Sequence, residues 1–131
     1  MTTETIETRD RAADQALAQL KSIKELVAAL CVGNVDEQEA AQTAIREDAL
    51  CIEVRSGWRI PGDPDHDTEY LILLCTGGPA CRITGDLSGH HEPESARLEY
   101  QDWGTPWTEY GISVEDESVL VEYARQFWFG E

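Results

Sequence analysis

The spacing of apolar residues changes near Leu50, and this change constrains what the chain can fold into. Before that point apolar side chains recur at intervals of three and four, with no Gly or Pro in the first 32 residues, which is typical of an amphipathic helix. Its apolar face is predicted to comprise Ile6, Ala13, Leu17, Leu20, Ile23, Val27 and Leu30. Gly33 and Asn34 end this helix. Asp36, with Glu39 three residues later, predicts a capped second helix over about 36–48.

From Leu50 onward apolar and polar residues alternate, as they do in half-buried strands. Four strands are predicted, at 50–55, 69–75, 80–87 and 95–101. Turn sequences separate them: Pro61-Gly62-Asp63-Pro64, Gly77-Gly78-Pro79 and Ser88-Gly89. The links between the last three strands are too short for a parallel crossover, so an antiparallel meander is expected.

The C-terminal part is predicted to form an aromatic-rich loop at 102–112 and a final helix with Ser113 and Asp116 at its cap. The apolar face of that helix is expected to contain Val119, Leu120, Tyr123, Ala124, Phe127 and Trp128. The order ααββββα predicts a single α+β domain over 1–131, with the helices on one face of the sheet. Its parts are a helical hairpin (1–49), an antiparallel sheet (50–101), and the aromatic loop with the C-terminal helix (102–131).

Charge is the strongest signal in the composition. The 131 residues contain 26 acids and 10 bases, a formal net charge of -16. Residues 1–60 hold 11 acids and 7 bases, net -4, whereas residues 61–131 hold 15 acids and 3 bases, net -12. Such a surface repels nucleic acid and anionic membranes and attracts basic proteins and cations. We therefore expect a basic protein partner and neither direct nucleic-acid binding nor membrane association; solubility alone is the alternative explanation.

The chain is expected to stay in the cytoplasm, because it has no apolar run of about 18 residues and no basic and apolar leader at its start. Its four cysteines are expected to be reduced in that compartment. Cys75 and Cys81 are six residues apart and His90 and His91 are adjacent, which is unlike zinc-ligand spacing. No metal and no cofactor are expected.

A row of acids occupies every second position in the segment GDPDHDTEY. These acids are Asp63, Asp65, Asp67 and Glu69. As a calcium loop the segment lacks the required residues, since Thr68 and Leu74 stand where Gly and Glu are needed. In an extended segment alternate carboxylates lie about 6.6–6.8 Å apart, near the spacing of successive phosphates in a nucleic-acid strand. Phosphate mimicry, a solvated acidic loop and a metal site all remain open.

Aromatic residues are concentrated in the segment QDWGTPWTEY, where they either pack against the edge of the hydrophobic core or bind a partner. Acids beside aromatic rings suit an arginine-rich partner, through ion pairs and cation–π contacts. The predicted partner-binding residues are Asp63, Asp65, Asp67, Glu69, Asp86, Glu92, Glu94, Glu99, Asp102, Trp103, Trp107 and Glu109.

The sequence contains no motif that would place a known combination of catalytic residues together, so the protein is predicted not to be an enzyme. Two alternatives to a partner-binding role stay open. A small-ligand or divalent-metal protein would bring His66, His90 and His91 into one pocket with nearby carboxylates. An accessory protein would form a homodimer through the N-terminal helical hairpin.

The stretch EYLILLCTGGPACRITGDLSGHHEPESARLEYQDWGTPWTEY, about a third of the chain, resembles short uncharacterised proteins encoded by conjugative elements and phages. Several small acidic proteins of such elements are anti-CRISPR or antirestriction proteins. The resemblance implies an inhibitor that acts in a bacterial host by occupying the DNA channel of a nucleic-acid-binding defence complex. The N-terminal helical third lies outside the resemblance.

Overall fold

A computed structural model describes residues 3–32, 34–56, 58, 60–62, 68–76, 80–102 and 106–129. Within these ranges the helices are α1 (Thr3–Val32), α2 (Val35–Asp48) and α3 (Val114–Ala124). The strands are β1 (Cys51–Arg55), β2 (Glu69–Cys75), β3 (Ala80–Asp86), β4 (Arg97–Gln101) and β5 (Thr108–Tyr110). All neighbouring strands are antiparallel, in the order β1-β2-β3-β4-β5. The α+β class and the meander are confirmed.

The prediction of four strands is wrong by one, because part of the expected aromatic loop forms β5. This strand pairs with β4, with Leu98 opposite Tyr110 and Tyr100 opposite Thr108. The rings of Tyr100 and Tyr110 contact edge to face at 6.3 Å between centroids. Three residues are too few to show a period of two, so the alternation used for the other strands could not reveal this one.

The helical hairpin is present, but α2 is capped by a different residue from the one predicted. The Asn34 side chain accepts a hydrogen bond from the backbone N–H of Glu37 at 2.9 Å, so the helix begins at Val35. Asn caps a helix as well as Asp does, and Asp36 instead lies in the first turn. There its negative charge interacts favourably with the helix N-terminus.

The hydrophobic core lies between the helices and one face of the sheet. Helix α1 packs against α2, α3, β3 and β4. It buries Ala16, Leu20, Ile23 and Val27, at intervals of four, three and four, while Leu17 is displaced to the exposed side. In β2 the residues alternate between buried and half-buried, as predicted. The largest fully buried side chains are Tyr123, Ile23, Ile45, Ile72, Ile83, Leu98, Leu120 and Cys81.

The final helix confirms its predicted cap but ends earlier than its apolar pattern suggested. The Ser113 hydroxyl accepts a hydrogen bond from the backbone N–H of Asp116 at 3.1 Å. The helix stops at Ala124, so helical spacing no longer decides what is buried beyond that point. Trp128, predicted on the apolar face, is 74% exposed. Phe129 is buried instead, with its ring 5.1 Å from that of Tyr70.

Candidate functional site

The connection between β3 and β4 is held along helix α3 by two hydrogen bonds. The Glu117 carboxylate accepts one from the backbone N–H of Ala96 at 3.3 Å. Near the other end of the helix, Arg125 Nε donates to the carbonyl of Pro93 at 3.3 Å. Residues 87–96 therefore form one wall of a surface whose other wall is α3.

A groove of about 390 Å³ lies between these two walls. It is lined by Glu94, Val114, Glu117, Ser118, Val121, Glu122 and Arg125. Three carboxylates and the guanidinium of Arg125 thus border apolar surface, part of which comes from Val114, which is 80% exposed. Glu122 Oε1 lies 4.0 Å from Arg125 Nη1. A lysine or arginine side chain has a matching character, with an apolar stem and a charged head. We call this surface the acidic groove.

The acids at the start of α3 differ in how far they are already neutralised. Asp116 Oδ1 lies 2.7 Å from Lys24 Nζ on α1. The hydrogen bond from Lys24 holds the pKa of Asp116 below its usual value. Glu115, in the same first turn, takes part in no ion pair with the described residues. All acids in this turn interact favourably with the helix N-terminus, so their negative charges do not destabilise the helix.

Three of the predicted partner-binding acids lie on or beside the β3–β4 connection. Glu94 lines the acidic groove, and Glu92 is exposed two residues earlier. Asp86, at the end of β3, accepts a hydrogen bond from the Ser95 hydroxyl at 3.2 Å. The structure therefore brings Glu94 into one groove with two acids of α3, Glu117 and Glu122, which were not among the predicted site residues.

Other predicted acids lie on the sheet face opposite the helices, which we call the outer sheet face. Glu69 Oε2 is 2.6 Å from Arg55 Nε, and Glu99 Oε1 is 2.8 Å from Arg82 Nε. These two carboxylates are already paired with arginines of the protein itself, so their electrostatic attraction to a partner is weaker. Glu109 lies opposite Glu99 in the register between β4 and β5 and is exposed.

Trp107, a predicted partner-binding residue, contacts an arginine of the protein itself. The Arg82 guanidinium carbon lies 4.0 Å from the centroid of the Trp107 ring, a cation–π contact. The same guanidinium pairs with Glu99. Trp107 is therefore half-buried against the protein's own arginine.

The outer sheet face also carries a concavity of about 250 Å³ that the sequence analysis did not predict. Three arginines line it, Arg55, Arg82 and Arg97, together with three glutamates, Glu53, Glu69 and Glu99. Arg97 forms no ion pair with the described residues. Strand alternation indicates that Arg82 and Arg97 share a face, but their proximity depends on the register that sets Thr84 opposite Arg97.

Of the remaining predicted site residues, the structure describes Asp102 alone. Asp102 is only 8% exposed, so little of this residue is accessible to a partner. It follows β4 directly. Asp63, Asp65, Asp67 and Trp103 lie outside the described residues.

The histidine turn does not form a metal centre among the described residues. There, no three His, Cys, Asp or Glu side chains are grouped so as to hold a metal ion. His90 is exposed, and His91 adopts a left-handed backbone conformation with φ of 63°. His66, the third histidine of that hypothesis, lies outside the described ranges.

No family model, curated protein or solved structure matches the chain. Within the described part of the chain, none of the helices combines the length and apolar character needed to cross a membrane.

Proposed function

We propose that the protein binds a basic surface of a partner protein, and that the acidic groove receives an arginine or lysine of that partner. The observation that carries the proposal is the meeting of Glu94 with Glu117 and Glu122 around the apolar surface of Val114 and Val121. An inserted guanidinium gains paired, charge-assisted hydrogen bonds, while its stem covers the valines. The net charge of -16 steers a basic partner toward the protein.

In its finer form, the proposal is that the partner is a bacterial nucleic-acid-binding defence complex, inhibited in the manner of anti-CRISPR or antirestriction proteins. The resemblance of residues 69–110 to proteins of conjugative elements and phages supports this class, as does the net charge of -12 in residues 61–131. Asp63, Asp65 and Asp67 would supply the phosphate-like row, because Glu69 is engaged by Arg55. Such an inhibitor acts in the cytoplasm of the host cell.

Three triple variants separate the acidic groove from the row of aspartates and from bulk charge. Glu92→Gln/Glu94→Gln/Glu122→Gln changes exposed acids in or beside the groove. Asp63→Asn/Asp65→Asn/Asp67→Asn removes the row. Glu25→Gln/Glu39→Gln/Glu47→Gln removes the same charge from exposed positions of α1 and α2. Binding to purified CRISPR effectors and restriction complexes is measured at low and at raised salt.

We expect the groove variant to bind more than about 30-fold more weakly, since losing a desolvated charge partner costs about 2–5 kcal/mol. The α1 and α2 variant should change mainly the association rate. Equal weakening by all three variants would show that the partner responds to bulk charge alone. Absence of binding to every such complex at low salt would refute the finer form.

The concavity on the outer sheet face favours a second candidate function, the binding of a small anion. Arg97 faces this space without an ion pair among the described residues, and Leu71 and Thr84 adjoin it. A guanidinium in a concave site is suited to a carboxylate or phosphate. A thermal-shift screen with small carboxylates, inorganic phosphate and divalent cations tests this candidate. Stabilisation by an anion should disappear in Arg97→Gln and persist in Lys21→Gln, which removes one exposed charge elsewhere.

A further inference from the structure

Strand β1 is an edge of the sheet whose apolar side chains are left uncovered. All five of its residues are exposed, and its outer backbone edge pairs with no other strand among the described residues. Ile52 and Val54 lie opposite the buried Ile72 and Tyr70 of β2, on the face that elsewhere carries the core. Both are nevertheless 38% exposed, because α1 packs over β3 and β4 instead.

The apolar surface extends beyond the strand at both ends. Nine large apolar residues are exposed in the described chain, and five of them lie between positions 50 and 60. The five are Leu50, Ile52, Val54, Trp58 and Ile60. An edge strand with apolar side chains and unpaired backbone groups is a template for another strand. This concentration therefore indicates an interface.

Local charge indicates which partner fits this edge. Residues 49–60 contain one acid, Glu53, and two bases, Arg55 and Arg59, so the segment has a net charge of +1 in a chain of -16. The basic partner proposed above has no electrostatic attraction to it. Two copies of this chain, in contrast, meet here with the least mutual repulsion.

We infer that β1 binds the β1 strand of a second copy of this chain, antiparallel, with the two Val54 residues facing each other on a two-fold axis. In this register Glu53 of each copy lies opposite Arg55 of the other, so two equivalent pairs of opposite charges face each other, one on each side of the axis. A register centred on Glu53 would place two like charges opposite each other. A register centred on Ile52 would place Glu53 opposite Cys51 and form no charge pair. The inference does not depend on the proposed function.

Sedimentation of the full chain tests the dimer. We expect a species of twice the 14.6 kDa chain mass, which becomes more stable as salt screens the net charge of each copy. Val54→Lys places two positive charges at the axis and should abolish the dimer. Val35→Lys makes the same change at a residue that is 68% exposed at the start of α2, and should leave the dimer intact. A monomer at every salt concentration, or a dimer that survives Val54→Lys, would overturn the inference.

Cysteine cross-linking tests the register without a disruptive substitution. In a background where the exposed Cys31 and Cys51 are serine, Val54→Cys should form an intermolecular disulfide on mild oxidation. Ile52→Cys should not, because its counterpart lies four positions along the facing strand, about 13 Å away and beyond disulfide reach. Cross-linking by Ile52→Cys in preference to Val54→Cys would overturn the Val54-centred pairing.

Discussion

At Gly85 the backbone of β3 passes so close to its neighbours that no side chain fits. A Cβ there would lie 2.0 Å from the carbonyl oxygen of Ser95 and 2.8 Å from the Tyr70 ring. The same carbonyl accepts a hydrogen bond from the Tyr70 hydroxyl at 2.6 Å. We expect Gly85→Ala to lower the free energy of unfolding by about 1–3 kcal/mol in urea titrations. Gly89→Ala, where nothing lies within 4 Å, is the control, and an equal loss in both would contradict the steric explanation.

Buried ionisable groups predict a loss of stability at alkaline pH. Burial, and next the neighbouring Cys75, raises the pKa of the Cys81 thiol from 9.0 to about 12. Above pH 9 the unfolded chain releases this proton while the folded protein keeps it. The free energy of unfolding should therefore fall between pH 9 and about 12, by up to about 1.4 kcal/mol per pH unit. Burial also raises the pKa of Tyr70 and Tyr123, which adds to the loss.

Cys81→Ala removes the thiol contribution to this alkaline loss but leaves that of the tyrosines. Chemical unfolding across the window should give a shallower slope for this variant than for the unaltered protein. Cys51→Ala replaces an exposed thiol and should leave the slope unchanged. Parallel slopes for all three proteins would exclude a role for Cys81.

Helix α3 depends on Ser113 for its start, and the acidic groove depends on that start. We expect Ser113→Ala to lower the free energy of unfolding by about 1 kcal/mol, because the backbone N–H of Asp116 loses its acceptor. Fraying of the first turn should also weaken partner binding at the groove. Ser22→Ala, at an exposed position inside α1 and outside the acidic groove, should have little effect on either property. Urea unfolding and the binding assay distinguish the two variants.

The long elements were predictable from the sequence because their periods extend over many residues. The alternation of β2 and the three- and four-residue spacing of α1 gave their positions directly. Short-range signals were less decisive where two residues competed. Asn34 and Asp36 are both good N-caps, and in the structure the helix is capped by the first. The burial of Phe129 instead of Trp128 depends on tertiary contact with Tyr70, which no local pattern encodes.

The candidate site was predictable only in part. The excess of acid in residues 61–131 predicted Glu94, which lines the acidic groove, and Glu92, which is exposed two positions before it. From the local sequence, Glu117 and Glu122 are predicted only to lie on the solvent-exposed face of a helix. They line a groove because residues 87–96 pack on α3. Likewise, the pairing of Glu69 and Glu99 with arginines follows from strand register. Register is a tertiary property that composition does not contain.

The net charge of -16 predicts that salt acts with opposite signs on folding and on partner binding. Mutual repulsion of the acids opposes the compact state, and added salt screens it. The four ion pairs among the described residues would be screened too, but the three with an exposed partner contribute only about 0–1 kcal/mol each. We therefore expect NaCl to raise the midpoint temperature of unfolding in calorimetry while it weakens the complex with a basic partner. Glu25→Gln/Glu39→Gln/Glu47→Gln, which removes three negative charges, should show a smaller rise with salt. A midpoint that falls with NaCl would mean that local ion pairs, and not net repulsion, dominate the stability of this chain.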